Sequence, residues 1–223
     1  MRNAHIWLLT LVVLFLGAVP AAAASEDEAP QPDEDGWYSL FNGKDLTGWK
    51  KAEENEDTIK VVDGEIVIKG ERCHLFYDGP VNDANFKNFE WKCEVLTKPH
   101  ANSGMYFHTK YQRRGFPRTG IEVQVNNSHS DPIRTGSLYG AKNIMNDSPA
   151  KDNEWFTQHV IVEGRKITVK VNDKVVNEFE EQDPPQRRRS FEGNVLGSGT
   201  FALQGHDPGS EVHYRKITVK PLP

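Results

Sequence analysis

The sequence predicts an all-β protein, a jelly-roll β-sandwich of two antiparallel sheets. Short segments of period-2 alternation recur along the chain. Gly, Asn, Asp and Pro turns separate them. No stretch carries a long apolar stripe at helical spacing, so a sandwich is favoured over a parallel α/β fold. Ile59–Val62 and Glu65–Ile68 form a hairpin about Asp63-Gly64, a favoured two-residue turn. Phe89–Val95 alternates cleanly, with its aromatic and apolar residues on one face. Met105–Lys110, Ile121–Val125 and His159–Val162 read the same way. Ile167–Val171 turns at Asn172-Asp173 into Lys174–Phe179, and Thr200–Gln204 and Val212–Val219 close the chain. Cys73 and Cys93 flank what reads as a strand–turn–strand, which leaves two readings open: a disulfide, or two free buried thiols.

The N-terminus is organised differently. Arg2, the apolar run Ile6–Val19, Pro20 and Ala21–Ala24 have the order of a signal peptide over residues 1–24. The run is short for a membrane span, which needs about 20 apolar residues. The alternative is an uncleaved anchor. A secreted or periplasmic protein, with no membrane association after cleavage, is expected. Residues 25–35 are acidic and contain Pro, as in a flexible leader. One domain follows, 36–223. The chain has 27 basic and 32 acidic residues, a net charge of −5, which argues against nucleic acid as the main partner.

Three strands carry the candidate site. Ile121, Val123 and Val125 take one face of their strand, and Glu122, Gln124 and Asn126 the other. Tyr106, His108 and Lys110 alternate with Met105 and Phe107, and Gln204 and His206 alternate with Phe201 and Leu203. If the strands are neighbours, their outer faces pool into a shallow polar groove suited to a polyhydroxylated ligand. A solvated face is the simpler reading of any one such residue. Convergence of amides and imidazoles on three strands is the stronger signal. Tyr106, Tyr111 and Tyr139 are candidate stacking residues, while Trp37, Trp49, Trp91 and Trp155 fit the core better. Arg187–Arg189 reads as a solvated loop run, with anion binding the lesser option. Asn126-Asn127-Ser128 fits a glycosylation sequon, and the spacing of His129, Asp131 and Asp147 matches no standard metal loop.

The order of several segments resembles the 3-keto-disaccharide hydrolase domain family. Leu40-Phe41-Asn42-Gly43-Lys44-Asp45-Leu46-Thr47-Gly48-Trp49 is similar to its opening motif. Val62–Ile66, Asn102–Phe107, Gly120–Val125, Thr135–Gly140, Glu154–Phe156 and Gly199–His206 follow in the family's order, over about residues 36–221. His108 stands where members often carry Arg, and Phe156 where they carry Asn. The resemblance implies a concanavalin A-like sandwich and cleavage of glycosides oxidised at C3 of the sugar. The expected partner is thus an oligosaccharide or 3-keto-glycoside.

The residue chemistry bears on that implication. An ordinary glycosidase needs two carboxylates, about 5–5.5 Å apart for retention or about 6.5–9.5 Å for inversion. Here Gln124 stands at the alternate position to Glu122, where a sandwich-type glucanase usually has its second acid. A 3-keto sugar needs one base, because its ketone acidifies the C2 proton and the C1 substituent leaves by elimination. The expected base is Glu122 or His206, with His108 or Lys110 stabilising the enolate. Gln124 and Gln204 hold sugar hydroxyls, with Tyr106, Tyr139 and Asn102 completing the binding set. No cofactor is assigned, and a divalent metal at the Glu/His cluster is an option. A non-catalytic, lectin-like carbohydrate-binding domain is the alternative.

Overall fold

The computed structural model describes residues 30–223, so the signal-peptide expectation over 1–24 lies outside the described residues. Thirteen strands are formed there: β1 (Tyr38–Ser39), β2 (Trp49–Lys51), β3 (Ile59–Val62), β4 (Glu65–Lys69), β5 (Cys73–Tyr77), β6 (Asn88–Thr97), β7 (Ser103–Thr109), β8 (Ile121–Val125), β9 (Phe156–Glu163), β10 (Lys166–Val171), β11 (Lys174–Glu180), β12 (Thr200–Gly205) and β13 (Glu211–Leu222). Only short 3-10 turns accompany them. An eight-stranded antiparallel sheet runs β11-β10-β9-β6-β13-β4-β3, with β1 on the second half of the long β13. A five-stranded antiparallel sheet runs β2-β5-β12-β7-β8.

The β3–β4 hairpin has Asp63 and Gly64 both at positive φ (49° and 81°), as that two-residue turn requires. Along β6 buried and half-buried residues alternate without a break, the mark of a strand with one face on a core. Its inward Trp91 stacks on Phe201 of β12 at 4.3 Å, and Phe86 stacks on the same ring at 4.4 Å. These aromatic contacts join the two sheets. Trp91 and Trp49 are buried as expected. Trp37 and Trp155 are only half-buried, under Lys92 (4.0 Å) and Arg215 (3.9 Å) respectively.

Two expectations change. Cys73 lies in β5 of the smaller sheet and Cys93 in β6 of the larger, so they are not partners in one strand–turn–strand, and both are free and buried. Asn126 of the sequon is also fully buried, its amide donating to Asp131 O and Ile133 O. Among the described residues no helix is long and apolar enough to cross a membrane.

Burial pushes the Cys73 thiol up to about 11 and the Cys93 thiol well above its usual range. A thiol reagent at pH 8 is therefore expected to titrate neither cysteine in the native protein and both in denaturant. Reductant should leave the melting temperature unchanged. A fall in Tm with reductant would show a disulfide instead.

Candidate functional site

The smaller sheet is buried on both faces. Every residue of β5, β7, β8 and β12 is buried. The polar face of these strands is therefore not the open groove the alternation suggested. Loops roof it into a cavity of about 280 Å³. That is near the lower end of small-ligand pockets, roughly 300–1,000 Å³, and suits a single ring.

Strand register builds the floor. Phe76, Ala202, Tyr106 and Glu122 lie in one row across β5, β12, β7 and β8. One step along, His74 faces Gln204 and Gly104 faces Gln124. Small residues alternate with large ones, and the gap at Gly104 is occupied. A Cβ there would lie 2.4 Å from Glu122 Oε1. Through that gap Glu122 accepts a bond from Gln204 Nε2 at 3.2 Å, while Tyr106 Oη donates to Glu122 Oε2 at 2.6 Å. Gln204 Nε2 also donates to Tyr106 Oη at 2.9 Å. Gln124 Nε2 donates to Asn102 Oδ1 at 2.7 Å. The amide oxygens of Gln124 and Gln204 are buried without a partner.

Glu122 is 7% exposed. Burial raises its carboxyl to about 7, the bonds from Tyr106 and Gln204 offset part of that rise, and the charge of Asp131 adds to it. Tyr106 is held well above its usual range, by burial first and then by the Glu122 charge, so it remains a donor. His74, also on this face, is kept neutral by burial, which lowers it to about 3. Its ring nitrogens have no partner, and its ring lies edge-on to Tyr106 and to Phe116.

His206 stands at the rim. Its Nδ1 pairs with Asp207 Oδ2 at 2.9 Å, and Ser210 and Gly209 also donate to that carboxylate. Burial pushes Asp207 up, but these hydrogen bonds outweigh it and hold its carboxyl below the usual range. Asp207 was not singled out from the sequence, although its adjacency to His206 was a readable signal. Asp131, considered there only as a metal-loop residue, lines the cavity, whereas Asp147 is exposed. Among the described residues no three His, Cys, Asp or Glu side chains gather to hold a metal ion.

His108 and Lys110 do not reach the cavity. The β7–β12 pairing slips between Thr200 and Ala202, so Phe107 and His108 together oppose Phe201, and His108 takes a positive φ of 55°. This bulge turns its side chain away. Gly197 N donates to its Nδ1 (3.1 Å), Nε2 donates to Lys87 O (2.9 Å), and the ring packs on Phe89. Glycines flank the bulge: a Cβ on Gly120 would lie 2.2 Å from Phe107 O, and one on Gly199 2.2 Å from Thr109 O. Lys110 is exposed beyond the strand end, and Tyr111 packs under Lys50 outside the cavity.

The walls come from loops, where residue spacing carries little information. Phe116 and Pro117, from the β7–β8 connection, form one wall. Tyr139, Ser190, Phe191 and Asn194 form the other. Tyr139 is fixed because its N–H donates to Glu122 O (3.0 Å), and its ring meets Phe191 edge-on at 5.8 Å. Arg187, read as solvated, is instead 4% exposed in its side chain. It pairs with Glu181 at 2.8 Å and donates from Nε to Asn194 O at 2.9 Å. Leu196 N also donates to Glu181 at 3.3 Å. Glu181 thus ties both halves of the 182–199 loop, and Arg188 and Arg189 stay exposed. Arg187→Ala leaves a buried carboxylate unpaired and should cost about 3–5 kcal/mol. Amide exchange over residues 190–196 should rise with it, and unchanged exchange there would refute the tie.

A candidate glycosyl hydrolase from Parabacteroides distasonis is 22% identical, with a TM-score of 0.70 over 85% of this chain and 95% of its own. A second from the same organism has a TM-score of 0.64 over 83% and 99%, also at 22% identity. The carbohydrate-binding module CBM66 from Bacillus subtilis has a TM-score of 0.57 at 12% identity, over 78% and 96%. At these identities the likenesses carry the sandwich fold alone. No curated protein matches the chain. Residues 36–220 match the 3-keto-alpha-glucoside-1,2-lyase-like domain, most of the chain and all of the strands that build the cavity, and the protein belongs to that family.

Proposed function

We propose that the protein is an exported enzyme that cleaves 3-keto-glycosides by elimination across C1 and C2 of the oxidised ring. The observation that carries this reading is Glu122. Its carboxyl, buried on the cavity floor and raised to about 7, is suited to exchange a proton near neutral pH. The second acid of an ordinary glycosidase pair is absent from its strand, where Gln124 stands. The lining contains no Lys or Arg, which favours a neutral ligand over an anionic one. The unpaired oxygens of Gln124 and Gln204 accept from sugar hydroxyls.

In the proposed reaction ionised Glu122 takes the C2 proton, acidified by the C3 ketone. The electron pair forms C1=C2 and the C1–O bond breaks. His206 gives a proton from Nε2 to the departing oxygen, its Nδ1 being held by Asp207. Asn102 has its Oδ1 engaged by Gln124, which leaves its amide N–H groups to donate to the C3 oxygen as negative charge gathers there. The products are an enone sugar and the free leaving group. Addition of water to C1=C2 completes a net hydrolysis.

The alternative is carbohydrate binding without chemistry. The two unpaired amide oxygens serve a lectin as well as an enzyme, and the same sandwich occurs in CBM66. Incubation with a 3-keto-α-glucoside separates the two readings. Growth of an enone absorbance, or release of the aglycone, supports the lyase. Saturable binding with no product supports the lectin.

Glu122→Gln and His206→Ala are each expected to lower kcat by about 10²-fold or more. Gly104→Ala should impair kcat while the fold is kept, because its methyl displaces the Glu122 carboxyl. Full activity in Glu122→Gln would end the assignment. The kcat/KM of the wild type should rise with pH through about 7, as Glu122 ionises. Stability should run the opposite way. A folded value raised from 4.5 to about 7 stabilises the native state below 4.5, and that contribution is lost as pH rises through 7. Glu122→Gln should therefore be the more stable protein at pH 8, by on the order of 1–3 kcal/mol in denaturant melts.

A further inference from the structure

We infer that Phe116 is the platform for the leaving group, and that the leaving group presents a flat ring face to it. The inference rests on the reading of the site given above. Among the described residues Phe116 is one of four large hydrophobic side chains that stay exposed, at 42%, and of those four it alone lines the cavity. An exposed phenyl forgoes a hydrophobic gain of about 1.5–3 kcal/mol, so its position calls for a partner.

The ring is held firmly in that exposed place. Gln112 Nε2 donates to Phe116 O at 2.8 Å and to Arg114 O at 2.6 Å, and its Oε1 accepts from Arg118 N at 3.3 Å. Gly115 N donates to Glu54 at 2.8 Å. Glu54 also fixes Arg72 (3.1 and 3.3 Å), whose guanidinium lies 5.1 Å from the Phe116 ring centre. His74 supports the ring edge-on from below, at 5.7 Å. Backbone and ring are thus both held by neighbours, and the ring still lines the cavity. A fixed aromatic surface binds a ring without first losing rotamer freedom.

Phe116 also lies beside the group that meets the departing oxygen. Its ring is 5.6 Å from that of His206, at the rim, whereas Glu122 is on the floor. A sugar seated on Gln124 and Gln204 directs its C1 substituent toward the rim, past His206 and onto Phe116. A sugar ring and an aryl ring share the flat apolar face that such a surface takes.

The test compares wild type, Phe116→Ala and Phe116→Tyr on methyl, glucosyl and phenyl 3-keto-α-glucosides. Phe116→Ala should raise KM about tenfold for the two ring-bearing substrates and less than about twofold for the methyl glycoside. Phe116→Tyr should restore the wild-type pattern. The sizes of the glucosyl and phenyl effects show which kind of ring fits better. An equal loss on all three substrates overturns the inference, because Phe116 would then serve the oxidised ring or the fold, and no loss on any overturns it too. Calorimetric titration of the same compounds into Glu122→Gln needs no turnover. A wild type that cleaves nothing therefore removes the lyase reading, while the ratio of affinities still decides the platform.

Discussion

The site depends on keeping one carboxylate dry. Glu122 projects from the outer face of β8 into a cavity roofed by loops, and its charge is tolerated through two donors on neighbouring strands. Tyr106 reaches it across one strand gap and Gln204 across two. Both distances hold in a single register only, since a slip of one residue would send all three side chains into the apolar core. Backbone contact fixes that register. Gly104 clears the path of the Glu122 side chain, and Gly120 and Gly199 let the bulged backbone at His108 pass closely on either side. No residue with a Cβ fits any of these positions without displacing a neighbour.

The same network leaves two acceptors of the site unpaired. Gln204 spends its N–H groups on Tyr106 and Glu122, and Gln124 spends an N–H on Asn102, so each amide keeps a buried oxygen without a partner. A buried unsatisfied oxygen costs about 1–3 kcal/mol. The protein bears that cost twice at one site, and the polyhydroxylated ligand of the proposed function would relieve it. Arginine and lysine are kept off the lining; two guanidiniums beside its walls serve packing instead, Arg187 against Glu181 and Arg72 against Glu54 and Phe116.

Much of this was legible in the sequence, and the limits have a physical cause. Alternation along β7, β8 and β12 placed Tyr106, Glu122, Gln124 and Gln204 on one face, because the period of a strand is a local property. His108 obeyed the same alternation on paper. Its departure depends on a bulge specified by Gly120 and Gly199, the latter far away in sequence and just before β12, so a local pattern could not show it. The loop walls were hidden for a related reason. Phe116, Phe191 and Asn194 are placed by contacts such as Arg187–Glu181, between residues whose charges looked merely solvated. The cysteines failed as a strand–turn–strand pair because their strands belong to different sheets, and sheet membership is a long-range outcome.

Two carboxyls of the cavity region have been driven in opposite directions, which bears on how the work is divided. Glu122 is raised by burial with only neutral donors to offset it, so its proton is exchangeable near neutrality. Asp207 is half-exposed at the rim and accepts from His206, Ser210 and a backbone N–H, and these bonds hold it below its usual range in spite of burial. Groups separated in this manner take separate roles. Asp207 stays ionised and fixes the Nδ1 side of the imidazole, which leaves Nε2 as the ring atom free to act on a ligand. In the proposed reaction Glu122 is then the group whose protonation changes during a cycle. In that reaction one buried carboxyl and one oriented imidazole would provide a base and an acid on a single cavity, without the matched pair of acids that direct glycoside hydrolysis demands.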